Sequence, residues 1–221
     1  MSITYILSTT RAYHADRCVA VLNTWARDLD PDDKFFFSTD LSIGPMFRRY
    51  SSSCTKDSQT EKLVRALGDV RYWATDWVFF SCEDVAIDAK AMKGLVAGLD
   101  PMEPKAYGHT INAYMHRPDF RYLSGGAGVL MSKRTLQKFP KSMLEFVDSE
   151  SALTGIQDVD FSSVMEASGI ELVDSPFFYD QMITDARAQD AIVIHHVPPD
   201  KMRMVVELMK GPVYEPECQT A

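Results

Sequence analysis

Residues 77–87 read WVFFSCEDVAI, and the fold turns on how this stretch is understood. Trp77 to Phe80 is a short apolar run of the kind that forms a strand covered on both faces, and it ends in the acidic turn Glu83-Asp84. Short apolar runs alternate with amphipathic stretches on both sides of it, the pattern of an α/β chain. Upstream, ITYILS (Ile3 to Ser8) and KFFFSTD (Lys34 to Asp40) read as strands. A helix through Arg17, Val21 and Trp25 lies between them, and Pro31-Asp32-Asp33 makes the turn before the second. From about Ser58 to Tyr72, Leu63, Val64 and Leu67 recur at helical spacing. Downstream, KAYGHTI (Lys105 to Ile111) and FRYLSGGAGVLMS (Phe120 to Ser132) add strand segments around a glycine-rich bend. Helix follows over Val159 to Ala167, then strands at GIELVD (Gly169 to Asp174) and AIVIHHV (Ala191 to Val197), then a last helix from about Asp200 to Met209. The expectation is α/β: a central mixed, mostly parallel sheet flanked by helices. Residues 1–210 read as one domain and residues 211–221 as a tail or linker, which also suits a domain cut from a longer polypeptide.

Composition narrows the function classes. Of 221 residues, 46% are hydrophobic and 24% charged, which excludes disorder and fibrous repeats. No apolar run approaches the ~18 residues of a membrane span, and MSITYILSTTR lacks the basic start of a signal peptide. The balance of 23 basic and 31 acidic residues, −8 in all, sets nucleic-acid binding at a disadvantage. An acidic chain can still take a phosphorylated small molecule if a divalent cation screens the like charges. The cysteines, Cys18, Cys54, Cys82 and Cys218, form no CxxC pair and so neither a zinc framework nor a disulfide scaffold; free thiols in a reducing compartment are the plain reading.

Ligands in open α/β sheets bind beyond the carboxyl ends of strands, where Cys82-Glu83-Asp84 sits. Hard cations bridge carboxylate oxygens to a substrate diphosphate, although a solvated turn accounts for the same residues. His195-His196 follows the apolar run Ala191 to Ile194, which delivers the pair to a sheet end. In an extended chain, neighbouring side chains face opposite sides, so only one of the two could join a given site. A carboxylate and one imidazole, completed by diphosphate oxygens, suit Mn²⁺ better than zinc; a structural histidine is the other reading. SGGAG (Ser124 to Gly128) is neither GxGxxG nor a P-loop; it is either a tight turn or a place where backbone approaches a ligand closely. Gln157-Asp158-Val159-Asp160 opens a helix, so its acids either favour the macrodipole or include a general base.

Taken in order, these strings resemble the fringe-related β-1,3-glycosyltransferases, glycosyltransferase family 31, of GT-A fold. STTRAYHADRCVAVLNTWARDL resembles the fringe opening, with Thr9, Thr10, His14, Arg17, Thr24 and Trp25 at matching positions. Thr39-Asp40 resembles the end of the family's next strand, and Lys62 and Trp77 fall at the family's spacing. SGGAGVLMSKRTL resembles its Gly-Gly-Ala-Gly-x-x-x-Ser segment, while QDVD and IHHVPPDKM resemble segments of core 1 galactosyltransferase. The match runs from about Ile3 to Met202.

The resemblance implies roles. Asp84 would bind the metal, with His195 as second protein ligand and His196 as the spare. Glu83 would contact metal-bound water or the donor ribose, and Asp158 would be the catalytic base. Gly125, Gly126 and Ala127 would line the donor sugar, while Thr9, Arg17, Asp40 and Lys62 would border the nucleotide. Two positions depart from the family: Cys82 and Glu83 stand for the first two residues of its Asp-Asp-Asp, and DSPFFYD carries Tyr179 where fringe keeps histidine. The implied activity is metal-dependent, inverting transfer of a hexose, glucose or galactose favoured, from a UDP-sugar to a glycan or glycoprotein hydroxyl. Mn²⁺ or Mg²⁺ would be the cofactor, with neither nucleic acid nor a membrane span involved. A non-catalytic nucleotide-sugar binder of the same fold is the alternative, and a phosphohydrolase would want more clustered carboxylates. The compact chain is similar to viral or microbial members such as algal-virus capsid-glycan transferases. The expected location is the cytoplasm, or the Golgi lumen for a chain trimmed from an anchored protein.

Overall fold

The apolar runs become the middle of a seven-stranded sheet in the order β10-β6-β9-β4-β1-β2-β3. These strands are β1 (Ile3–Ser8), β2 (Lys34–Thr39), β3 (Phe47–Arg49), β4 (Trp77–Cys82), β6 (Lys105–Gly108), β9 (Val129–Ser132) and β10 (Glu171–Asp174). A three-stranded sheet, β11-β12-β5, is built from β5 (Ala86–Ile87), β11 (Phe178–Tyr179) and β12 (Val193–Ile194), and β7 (Thr110–Tyr114) pairs with β8 (Arg117–Leu123) as a hairpin. The structure is a computed structural model that describes residues 1–52, 58–73, 75–114, 117–138 and 157–211. Its helices are α1 (Val19–Leu22), α2 (Ser58–Val70), α3 (Ala89–Ala97), α4 (residues 133–138), α5 (Gln157–Ala167) and α6 (Pro199–Met209). None of the described helices is long and apolar enough to cross a membrane.

Both faces of the large sheet are covered, as the unbroken apolar runs require. Ile3, Tyr5, Leu7, Phe37, Trp77 and Phe79 pack on one side with α3, α6 and the small sheet. Ile6, Phe36, Val78 and Phe80 turn the other way, onto α2 and α5. This is the two-residue alternation of a pleated strand, with each face claimed by a different layer.

Strand direction positions the site. β1 pairs in parallel with β2 and with β4, whereas β9 runs antiparallel to both β4 and β6. The carboxyl ends of β1, β2 and β4 therefore share one rim, where Ser8 is in register with both Ser38 and Cys82. The reversed β9 enters from that same rim, since Val129 pairs with Phe80 and Gly108. The glycine bend before β9 thus meets the acidic turn after β4.

Two expectations change. The helix through Arg17, Val21 and Trp25 is broken into a 3-10 turn (Arg11–Tyr13), a π turn (His14–Cys18), α1 and a second 3-10 turn (Trp25–Asp28). The strand expected over 191–197 is regular only at β12, Val193–Ile194, with backbone hydrogen bonds to Phe177, Tyr179 and Asp84 continuing on either side. Helix α3 adds to the reading: Asp88 caps it by accepting from the Ala91 N–H at 2.9 Å. Cys18 and Cys82 are free thiols, while Cys54, Cys218 and residues 212–221 of the expected tail lie outside the described residues.

Candidate active site

The acidic turn is held from two sides. The Trp25 indole N–H donates to the Val85 carbonyl at 2.9 Å, and the Val197 N–H donates to the Asp84 carbonyl at 2.9 Å. Trp25 therefore fixes the backbone just past Asp84, and the histidine segment is tied to the same turn. Because β11 and β12 are parallel with Tyr179 opposite Ile194, the next residues, Asp180 and His195, emerge side by side. His195 Nδ1 lies 3.2 Å from Asp180 Oδ1, and the Ser124 hydroxyl donates to the same carboxylate oxygen. The opposite nitrogen, Nε2, then faces Asp84 Oδ1 at 3.3 Å and Cys82 Sγ at 3.2 Å.

Burial works against charge on His195, but its hydrogen bonds to Asp180, Asp84 and Cys82 outweigh it and raise the imidazole to about 12. Burial would raise Asp84 too, yet hydrogen bonds from His195 and Cys82, with the nearby positive charges, hold it below the usual carboxylate range. Glu83 shows the opposite balance: burial pushes it up to about 7. The Cys82 thiol is likewise driven up to about 12 by burial.

His196 corrects the alternation expected of the pair. Its φ is +57°, in the left-handed region, so the chain does not stay extended there. The two imidazoles stack with centroids 3.7 Å apart, and His196 Nδ1 lies 3.8 Å from Asp84 Oδ2. Both rings thus stand on the Asp84 side. His195 is buried and oriented by Asp180, whereas His196 is exposed.

The glycine bend touches the two elements that the resemblance marks for chemistry. A Cβ on Gly125 would come 2.5 Å from Asp158 Oδ1, and one on Gly126 would overlap the His195 ring. Gly128 has a φ of +86°, and its missing side chain leaves room for the Phe79 ring. The Ser81 hydroxyl donates to the Gly126 carbonyl at 2.6 Å, and Ala127 is fully buried with its N–H on Ser124 Oγ at 3.2 Å. Asp158 stands in the first turn of α5, and its carboxylate lies beside Gly125.

On the far side of the acidic turn, Arg17 donates to Glu83 Oε1 at 3.1 Å and to Asp84 Oδ2 at 3.3 Å, with its guanidinium over the Tyr13 ring. Glu83 is buried in this pairing. Thr9, Asp40 and Lys62 gather where β1 and β2 end. The wholly buried Lys62 ammonium donates to the Thr9 carbonyl at 3.2 Å and sits 3.9 Å from Asp40 Oδ1, which also accepts from the Arg11 N–H at 2.9 Å. Lys62→Met would take the buried cation from Asp40 and leave the largely exposed Arg11 guanidinium, 3.4 Å from Oδ2, to balance a buried carboxylate. The expected cost is about 3 kcal/mol, a fall in Tm of roughly 6–12 °C; a melt unchanged from wild type would remove this role.

Cys82 Sγ, a carboxylate oxygen of Asp84 and a ring nitrogen of His195 all lie within 4.8 Å of one another. This sulfur, oxygen and nitrogen set suits a divalent cation, and an imidazole whose second nitrogen is held by a carboxylate is the usual form of a metal-ligating histidine. Asp180 is the residue that sequence reading passes over. It ends the string DSPFFYD, where Tyr179 draws attention as the replaced histidine. The available signal is register, an acid leaving one short strand beside a histidine leaving its parallel neighbour. Asp180→Asn keeps the shape but removes the charge that orients the ring. It should weaken divalent-cation affinity about 10–100-fold with little change in melting temperature. Chelator competition measures it, and equal affinity would show that Asp180 does not position His195.

Comparisons with known proteins bear on the family and the fold. A model of the Fringe-like family matches residues 2–205. Among solved structures, the galactosyltransferase LgtC, in complex with donor and acceptor sugar analogues, superposes with a TM-score of 0.54 at 14% identity, covering 98% of each chain. A glycosyltransferase involved in glycosylating the major capsid of the virus PBCV-1 gives 0.55 at 12% identity, over 94% of this chain and all of that one. The bifunctional glycosyltransferase WbbM gives 0.56 at 11% identity, over 95% of this chain and 49% of that one. The rim where β4, β9 and β12 converge is therefore carried on a GT-A framework, and the chain belongs to the Fringe-like family of glycosyltransferases.

Proposed function

We propose that this protein is a metal-dependent, inverting transferase that moves a hexose, glucose or galactose in preference, from a UDP-sugar to a hydroxyl of a glycan or glycoprotein. The observation that carries this reading is the pair of contacts made by consecutive glycines: Gly125 against the Asp158 carboxylate and Gly126 against the His195 imidazole. A floor without side chains thus has a proton acceptor at one end and a cation-binding group at the other. A single displacement at an anomeric carbon needs both.

Asp158 would accept the hydroxyl proton as the acceptor oxygen attacks, and its charge favours the oxocarbenium-like centre that develops. The bond to UDP breaks on the opposite face, so configuration inverts. Asp84 and His195 would hold a divalent cation, Mn²⁺ or Mg²⁺ on the carboxylate–imidazole pair alone, which would supply positive charge to the departing diphosphate. Arg17 offsets the acidic pair by its contacts with Glu83 and Asp84, so an incoming polyanion does not meet two bare carboxylates. Gly125, Gly126 and Ala127 would line the sugar, and Thr9, Asp40 and Lys62 would border the nucleotide.

A panel of UDP-sugars, assayed for binding and UDP release with and without divalent cation, tests the reading. Cation-dependent transfer from UDP-glucose or UDP-galactose to added glycans, giving the inverted anomer, supports it. Cation-dependent UDP binding with neither transfer nor donor hydrolysis across many acceptors would assign the non-catalytic binding role instead.

A further inference from the structure

We infer that Cys82 is a third protein ligand of the metal centre, so that the site prefers zinc-type cations to Mn²⁺ or Mg²⁺. The inference rests on the proposed metal site but goes beyond it, because a carboxylate and an imidazole alone do not select for a softer ion.

Three donor atoms form a small triangle. Cys82 Sγ is 2.9 Å from Asp84 Oδ1 and 3.2 Å from His195 Nε2, and the last two are 3.3 Å apart. Metal bonds of about 2.0–2.3 Å set neighbouring ligands roughly 2.9–3.6 Å apart, for angles between square and tetrahedral. All three edges fall in that range, so one ion could bind the three atoms together without rearrangement of the strand ends. The thiol is placed by the fold: Cys82 closes β4 in register with Ser8, and its sulfur also lies 3.8 Å from the Gly126 carbonyl. It is therefore on the same side as the glycine floor.

Chemistry then separates the cations. Thiolate favours Zn²⁺ and its neighbours, whereas Mg²⁺ and Mn²⁺ favour oxygen, and intrinsic affinity rises from Mn²⁺ through Co²⁺. As the ion binds, the Cys82 S–H and His195 Nε2–H bonds break, metal–sulfur and metal–nitrogen bonds form, and both protons leave to solvent. Three protein ligands on one side keep further positions open for diphosphate oxygens, as in catalytic rather than structural zinc sites.

Co²⁺ serves as the spectroscopic probe, titrated into the whole protein with and without UDP. The expected result is a thiolate-to-cobalt charge-transfer band in wild type that is absent from Cys82→Ser. Chelator competition should show Zn²⁺ binding weakened at least about tenfold in Cys82→Ser, and Cys82→Asp should shift preference back toward Mn²⁺. Co²⁺ bound without the band, equal Zn²⁺ affinity in wild type and Cys82→Ser, or no Co²⁺ binding in either condition would each overturn the assignment. The two proposals fail separately. A sulfur band without sugar transfer leaves the ligand in place and removes the transferase reading; Mn²⁺-supported transfer without the band does the reverse.

Discussion

Asp158→Asn should keep UDP-sugar binding within about twofold and lose at least ~10² in turnover, the usual scale for a general base. Asparagine has nearly the shape of aspartate, so it still fits against Gly125, where the carboxylate would lie 2.5 Å from an added Cβ. What it lacks is the capacity to take the hydroxyl proton. The groups assigned to the UDP part of the donor are elsewhere, at Asp84, His195, Arg17 and the ends of β1 and β2, and an asparagine of the same shape leaves the glycine floor beside the sugar in place, so affinity for the donor is preserved. Single-turnover transfer and calorimetric donor binding measured on the same preparation separate the two effects. Equal transfer by the variant and wild type would take Asp158 out of the mechanism.

Asp84→Ala should remove the cation dependence of UDP binding, with a loss of affinity of at least ~10²-fold, larger than the 10–100-fold usual for a residue one shell further out. Asp84 is the carboxylate shared by His195, Cys82 and Arg17. Its removal takes away a ligand and leaves Glu83 as the turn's one carboxylate facing the diphosphate. His195 retains Asp180 as a partner and Arg17 retains Glu83, so the fold should survive, and a thermal melt checks this. Titration of UDP at saturating and chelated cation then gives the decisive comparison. If the cation still strengthens UDP binding by the wild-type factor, the metal does not sit at Asp84.

Much of the frame is legible because its strands are long apolar runs. Ile3–Ser8, Lys34–Thr39 and Trp77–Cys82 each declare themselves, and α2, α5 and α6 follow from helical spacing. Elements of two or three residues, such as β3 and β11, are too short for a two-residue period to show. The segment from Arg11 to Asp28 keeps Val21 and Trp25 on the buried side, as helical spacing implies, but tertiary contacts break it into short turns. Arg17 must reach the acidic turn, and the Trp25 N–H must reach the Val85 carbonyl.

The site divides in the same way. Asp84, His195 and the glycine bend are readable as motifs, and the fold gathers them at one rim. The part played by Asp180 depends on which strands pair, which no local string records. The placement of His196 depends on one backbone angle of +57°, which defeats a rule that assumes an extended chain. Cys82 reads as a lost aspartate in one dimension and as a donor atom in three.

The common direction of β1, β2 and β4 also decides how the protein can be handled. Met1, whose carbonyl accepts from the Lys93 ammonium, precedes the end of β1 remote from Thr9. Six residues of strand separate them by about 20 Å. A bead, dye or vesicle tethered at residue 1 would therefore hang from the back of the sheet, away from the rim that carries Asp84 and His195.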